Sequence, residues 1–271
     1  MHVSISNIGW DSHFDETVYA FMQESRVSGL ELAPTRIFPN KPYRMLQEAI
    51  HFAESINRKY GLTISSMQSI WYGIRENIFE SIDHRNILMR YTKEAIIFAA
   101  SIGCTNLVFG CPRNRSIPDN TIMSSFQVAC DFFNAIGDYA FAQGVYIAIE
   151  PNPPIYNTNF LNTTEEAFEF CKTLANPGVK VNVDIGTMIY YKENSSILVE
   201  NIEYINHVHI SEPHLVPIKK RPLHKEIITS LKDNAYDRFI SIEMAKYDNN
   251  VEAIKDSTIY IRGICDDIYR H

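Results

Sequence analysis

Long hydrophobic runs are missing from this chain. No stretch of about 18 apolar residues occurs, and Met1 to Ser6 hold neither a basic run nor an apolar core. The expectation is a protein that neither spans a membrane nor is exported. Glycine is also sparse, with 11 in 271 residues, and none is arrayed as G-x-G-x-x-G or G-x-x-x-x-G-K, which excludes the phosphate loops of dinucleotide and nucleoside triphosphate binding. The five cysteines (Cys104, Cys111, Cys130, Cys171, Cys265) are odd in number, widely spaced and without a C-x-x-C pair. They read as reduced thiols in a cytoplasmic protein rather than a disulfide framework. An excess of basic charge is absent too. Lysine plus arginine number 25 against 32 aspartate plus glutamate, for a formal charge of −7, and no basic stripe occurs, which argues against nucleic acid as a partner.

What the chain does have is a repeated alternation of short β-rich runs and longer amphipathic stretches, in a composition 45% hydrophobic and 21% charged. The candidate strands are 2–8, 29–33, 62–67, 105–110, 145–150, 179–184, 207–211 and 239–243, rich in Val and Ile and bounded by Gly, Pro or Asn. Between them lie helical signals. Leu46, Ile50, Phe52, Ala53 and Ile56 follow helical spacing within 43–60, and Gly61 ends that run; Thr163 and Glu166 have capping-box spacing, and Asn176-Pro177-Gly178 stops the helix they open. Eight strand–helix units imply parallel strands and right-handed crossovers. They predict one (β/α)8 barrel domain over residues 1–271, with a doubly wound sheet as the alternative.

Functional side chains of such a barrel come from the C-terminal ends of its strands. Four consecutive strands end in ligand-type residues: Glu150, Asp184, the pair His207 and His209, and Glu243. One carboxylate at a strand end usually caps a helix or pairs with a base. Three converging on one mouth repel each other unless a cation neutralises them, so their recurrence predicts one divalent metal ion. Oxygen ligands with one imidazole suit Mn, Mg or Co, with Zn also compatible. Strand alternation puts both imidazoles on one face; His209, nearer the strand end, is the expected ligand, and His207 is left to a substrate contact or to packing.

These residues resemble a known family. Val145–Glu150 with Pro151, Val181–Asp184, His207-Val208-His209, Ser241-Ile242-Glu243 and Gly29-Leu30-Glu31-Leu32 are similar, in strand order, to the strand-end motifs of the xylose-isomerase-like superfamily, in particular its sugar phosphate isomerase/epimerase family. The resemblance implies a TIM barrel in which Glu150, Asp184, His209 and Glu243 hold one divalent ion, and in which Glu150 and Glu243 also serve as the acid/base pair. It also implies a cytoplasmic isomerase or epimerase of a small sugar-type substrate, and a homo-oligomer, since relatives are often dimers or tetramers. Such a reaction removes a proton beside a carbonyl whose oxygens a metal chelates.

The departures concern the substrate shell. Thr187 stands where many relatives have a histidine, and Leu215 where epimerases of free ketoses have an arginine, while Glu212 matches. Expected substrate contacts are Gln68 and Trp71 after strand three, with the indole walling off the sugar, Arg113 and Arg115 after strand four as a clamp for phosphate or carboxylate, and His207 and Glu212 on strand seven. The competing readings are a dehydratase of a cyclic polyol or keto acid on the same fold and a sugar-binding barrel without turnover. The DNA-cutting branch of the superfamily needs extra histidines on strands two and three, which Leu30–Ala33 and Ser65–Gln68 lack.

Overall fold

Eight parallel strands close on themselves, each paired with the next in sequence and the last with the first. They are β1 (His2–Ser6), β2 (Gly29–Leu32), β3 (Thr63–Met67), β4 (Asn106–Phe109), β5 (Tyr146–Ile149), β6 (Val179–Asp184), β7 (Ile205–Ile210) and β8 (Phe239–Ile242). The structure, a computed structural model, describes residues 1–118 and 122–270. Helices such as Leu46–Tyr60, Ile82–Ser101, Ile122–Ala142 and Asn250–Arg270 surround the strands, giving a (β/α)8 barrel. Among the described residues no helix is long and apolar enough to cross a membrane.

Alternation along the strands explains both faces of the wall. Val3 and Ile5, Leu30 and Leu32, Val181 and Val183, Val208 and Ile210, and Ile240 and Ile242 all join the hydrophobic core. The residues between them, including Ser4, Glu31, Asn182, His209 and Ser241, are buried and polar, so alternation turns them into the barrel. The interior is therefore hydrogen-bonded rather than apolar: the Asn106 amide donates to Ser66 Oγ at 2.9 Å and accepts from Asn206 Nδ2 at 2.5 Å.

Local signals fix the ends of several elements. The Thr163–Glu166 capping box forms at the start of helix Thr164–Leu174. Gly61 ends helix Leu46–Tyr60 in the left-handed region at φ 69°, where a Cβ is disfavoured. The helix expected from residue 43 begins three residues later, because Pro42 opens a separate 3-10 turn, Pro42–Arg44. After β6 no long helix follows. Asp184 itself caps the short helix Ile185–Tyr191, so the chain turns directly from strand to helix at the site.

Candidate metal centre

Strand register sets the spacing of the ligand-type residues. Asp184 of β6 lies beside His209 of β7, and His209 lies beside Ser241 of β8. One hydrogen bond extends the ladder past each neighbouring strand end: Glu243 N donates to Ile210 O at 2.9 Å, and Glu150 N donates to Phe109 O at 3.1 Å. Both glutamates are thus held as if still in the strand. Close approach requires two glycines. A Cβ on Gly110 would stand 2.5 Å from Glu150 Oε2, and one on Gly186 would stand 2.7 Å from Ser211 Oγ.

Glu150, Asp184, His209 and Glu243 each offer one donor atom, and these atoms all lie within 4.8 Å of one another. The imidazole of His209 sits at the centre. Its Nε2 lies 2.9 Å from Glu31 Oε2, while its Nδ1 lies 2.7 Å from Glu150 Oε1 and 3.1 Å from Glu243 Oε2. Nδ1 is buried and has no aligned hydrogen-bond partner. A ring nitrogen aimed at carboxylates without a hydrogen bond, with the opposite nitrogen against a further carboxylate, has the pattern of a metal-binding histidine. The residues present therefore fit a divalent ion. The described residues hold one more metal-capable group, Glu31, His207 and His209, which shares this histidine.

Each carboxylate is fixed by neutral donors. Glu150 accepts from Asn182 Nδ2 at 2.8 Å and from Asn152 Nδ2 at 3.0 Å. Asp184 accepts from Thr187 N at 2.8 Å, from Thr187 Oγ1 at 2.7 Å and from the Ser211 hydroxyl. Glu243 accepts from Gln68 Nε2 at 2.7 Å, and the same amide reaches Ser6 Oγ at 2.8 Å. Burial is the first cause pushing the Glu243 carboxyl up to about 7, with Glu150 and Glu31 adding to it and His209 opposing. Asp184 is raised by burial and by the Glu150 charge. Burial opposes protonation of His209, but the charges of Glu243, Glu31 and Glu150 outweigh it and lift the ring well above its usual range. All three shifts express one condition, an excess of negative charge at a dry site.

The other expected site residues fall in different places. Gln68 lines the cavity of about 190 Å³ above the four ligands, together with Gly110, Cys111, Tyr156 and Leu215. Trp71 is a correction. Its indole is buried edge-on against Phe109 at 4.6 Å and donates to Thr92 Oγ1 at 2.9 Å, because a large apolar ring beside a helix finds more contact in the core than at a wet mouth. Arg115 is also a correction. It is fully buried, donating from Nη2 to Glu150 O and Asn152 Oδ1 at 2.7 Å each and from Nη1 to Phe160 O at 3.0 Å, so it fastens the loop after β5 instead of clamping an anion. Arg113 is exposed and not part of the cavity wall. Glu212 is buried and gripped by Arg221, Nε at 2.7 Å and Nη2 at 2.6 Å, and His207 is buried with Nε2 3.1 Å from Glu31 Oε2. Thr187 spends its hydroxyl on Asp184 and Pro151 O, and Leu215 presents an apolar side chain to the cavity.

Sequence reading misses Asn152, Asn182 and Ser211, which steady the ligands, and Tyr156, which lines the cavity. Asn182 alone carries a signal, two residues before Asp184 and hence on the same face of β6.

Residues 27–264 match the family described as xylose isomerase-like TIM barrel. The chain belongs to that family. Among curated proteins no significant match to it is found. Solved structures similar to it include 3-keto-D-glucoside 4-epimerase from E. coli, at 16% identity with a TM-score of 0.77 over 97% of this chain and 99% of that one. They also include D-psicose 3-epimerase from Clostridium cellulolyticum H10, solved with D-tagatose, at 15% identity, TM-score 0.77, over 100% and 99%. A third is an L-ribulose 3-epimerase at 14% identity, TM-score 0.78, over 100% and 96%. At such identities the likeness establishes the barrel and leaves activity to the site.

Proposed function

We propose that this xylose isomerase-like barrel is a divalent-metal-dependent isomerase or epimerase of a sugar or sugar derivative. The carrying observation is that Glu150 and Glu243 approach one buried imidazole nitrogen, His209 Nδ1, from two sides of a single cavity, at 2.7 and 3.1 Å. Glu150, Asp184, His209 and Glu243 would hold the ion. When bound, it supplies Lewis-acid charge to a carbonyl and its neighbouring hydroxyl, which makes the adjacent C–H acidic.

The chain's own residues then move the proton. Glu150 and Glu243 project from strands on opposite sides of β6 and β7, so a flat sugar chain between them presents one face to each. One carboxylate removes the proton, and the other, protonated at the start, delivers its own proton to the opposite face for epimerisation. The amides of Asn152, Asn182 and Gln68 hold the two bases in place without adding charge. Five free cysteines agree with a reducing, cytoplasmic setting.

The test pairs metal content with solvent exchange. Purified protein soaked in manganese is expected to carry one equivalent, and an Asp184→Ala/His209→Ala double variant none. A panel of ketoses in deuterium oxide should take up deuterium beside the carbonyl only with the metal-loaded wild type. Metal binding without exchange on any ketose would overturn the reading, and a product missing a hydroxyl would replace it with a dehydratase.

A further inference from the structure

Beside the metal cavity, and sharing Ser69 with its wall, lies a larger hollow of about 410 Å³ against about 190 Å³. It is lined by residues that follow β1, β2, β3 and β8, so it opens on the same face of the barrel as the ligands. Lys246 stands three residues beyond Glu243, which makes one strand end serve both spaces.

The charges of the two spaces decide what they can receive. Among the described residues, the wall of the cavity over Glu150, Asp184, His209 and Glu243 contains no lysine or arginine. The hollow has two cations, and each is already paired. Arg36 lies 5.2 Å above the Trp10 ring and is held by Asp15 at 2.5 and 3.2 Å, while Lys246 Nζ donates to Asp11 Oδ1 at 2.7 Å. A phosphate needs unpaired, convergent cationic donors, and neither space offers one. Neutral hydroxyl groups fit better. The half-exposed Asp11–Lys246 pair keeps spare acceptor and donor capacity facing outward. Tyr72, also in the wall, leaves 71% of its surface in solvent, an exposed aromatic side chain.

We propose that this hollow is a second subsite for an uncharged glycosyl group attached to the reacting ketose, so that the substrate is a glycoside and not a sugar phosphate. The inference rests on the sugar-isomerase reading above. A lone monosaccharide seated at these four side chains would leave the larger space empty, whereas a glycosyl unit joined to it reaches across Ser69 onto Tyr72 and against the Asp11–Lys246 pair.

The experiment is calorimetric binding to the manganese-loaded protein with three probes: D-fructose, fructose 6-phosphate and isomaltulose, a fructose unit carrying glucose on O6. Isomaltulose is expected to bind at least about tenfold tighter than fructose, with fructose 6-phosphate no tighter than fructose. Tyr72→Ala, and separately Asp11→Ala with Lys246→Ala, should remove that advantage while leaving fructose binding unchanged; both sites are at the surface, so the fold is not at stake. Equal binding of fructose and isomaltulose, an advantage that survives both variants, tightest binding of the phosphate, or no binding of any probe would each overturn the subsite. Failure of the isomerase reading looks different. It appears as no solvent deuterium entering any bound sugar while the glycosyl preference persists.

Discussion

In the half of the barrel built from β5 to β8, each strand ends in a side chain that faces the cavity with a charge or a ligand nitrogen: Glu150, Asp184, His209 and Glu243. The half built from β1 to β4 supplies Ser6, Glu31, Gln68 and Gly110 at the same level, and these act on the first set. Gln68 steadies Glu243, Glu31 lies against His209, and Gly110 leaves room for Glu150. The difference teaches how the site divides its work. Most of the charge is crowded into one half, and the other half, with Glu31 as its one charged member, fixes the positions of those groups. The β1–β4 half also carries most of the wider hollow.

The strongest way to break this comparison is to remove the bases. Glu150→Gln and Glu243→Gln each keep an oxygen for a metal but lose the proton carrier on one face, and each should lower the epimerisation rate by about 10²- to 10⁴-fold with unfolding midpoints unchanged. Near-normal epimerisation in either variant would leave only one base in the reaction and end the symmetrical account. Arg115→Met asks whether the β5 loop depends on its buried clamp. The change strands the carbonyls of Glu150 and Phe160, and a loss of about 3 kcal/mol in urea unfolding is expected. A loss below about 1 kcal/mol would mean that the arginine is not the fastening of the loop.

Glu31→Gln sharpens the same contrast from the supporting half. It keeps the shape beside His209 but gives up the charge that holds the ring, and manganese affinity should fall by about 10- to 100-fold in a competition titration. Unchanged affinity would show that β2 has no hold on the ligand set.

The uneven legibility of the two halves has a physical cause. A strand end is readable from Val and Ile alternation and a following Pro or Gly, so Glu150, Asp184, His209 and Glu243 stand out in the linear pattern itself, and the barrel with them. What joins side chains across strands depends on register, which a linear pattern does not carry; Asn182 reaching Glu150 and Gln68 reaching Glu243 are of that kind. Loop residues mislead for another reason. Arg115 and Trp71 look like mouth groups by position in the sequence, yet their burial follows from what the loop folds back upon, Phe160 and Leu161 for the one and Phe109 for the other.

The smallest effect concerns acid stability and falls in the β5–β8 half. His224, in the first turn of the helix Pro222–Asp233, is buried; its Nδ1 lies 3.3 Å from the Tyr260 hydroxyl, its Nε2 has no hydrogen-bond partner among the described residues, and burial pushes the ring down to about 4, with Glu212 opposing and Arg221 lowering it further. In the unfolded chain the same ring titrates near about 6.5. Below that value the unfolded chain takes up a proton that the folded chain refuses, so the contribution is complete above about 6.5 and is lost progressively as the pH falls toward about 4. The loss is expected to be on the order of 2 kcal/mol. His224→Gln retains a donor for Tyr260 without the titration, so its urea midpoint should decline less than that of the wild type between pH 6.5 and 4. Parallel declines in the two proteins would assign the acid sensitivity to groups other than His224 and leave that ring as packing alone.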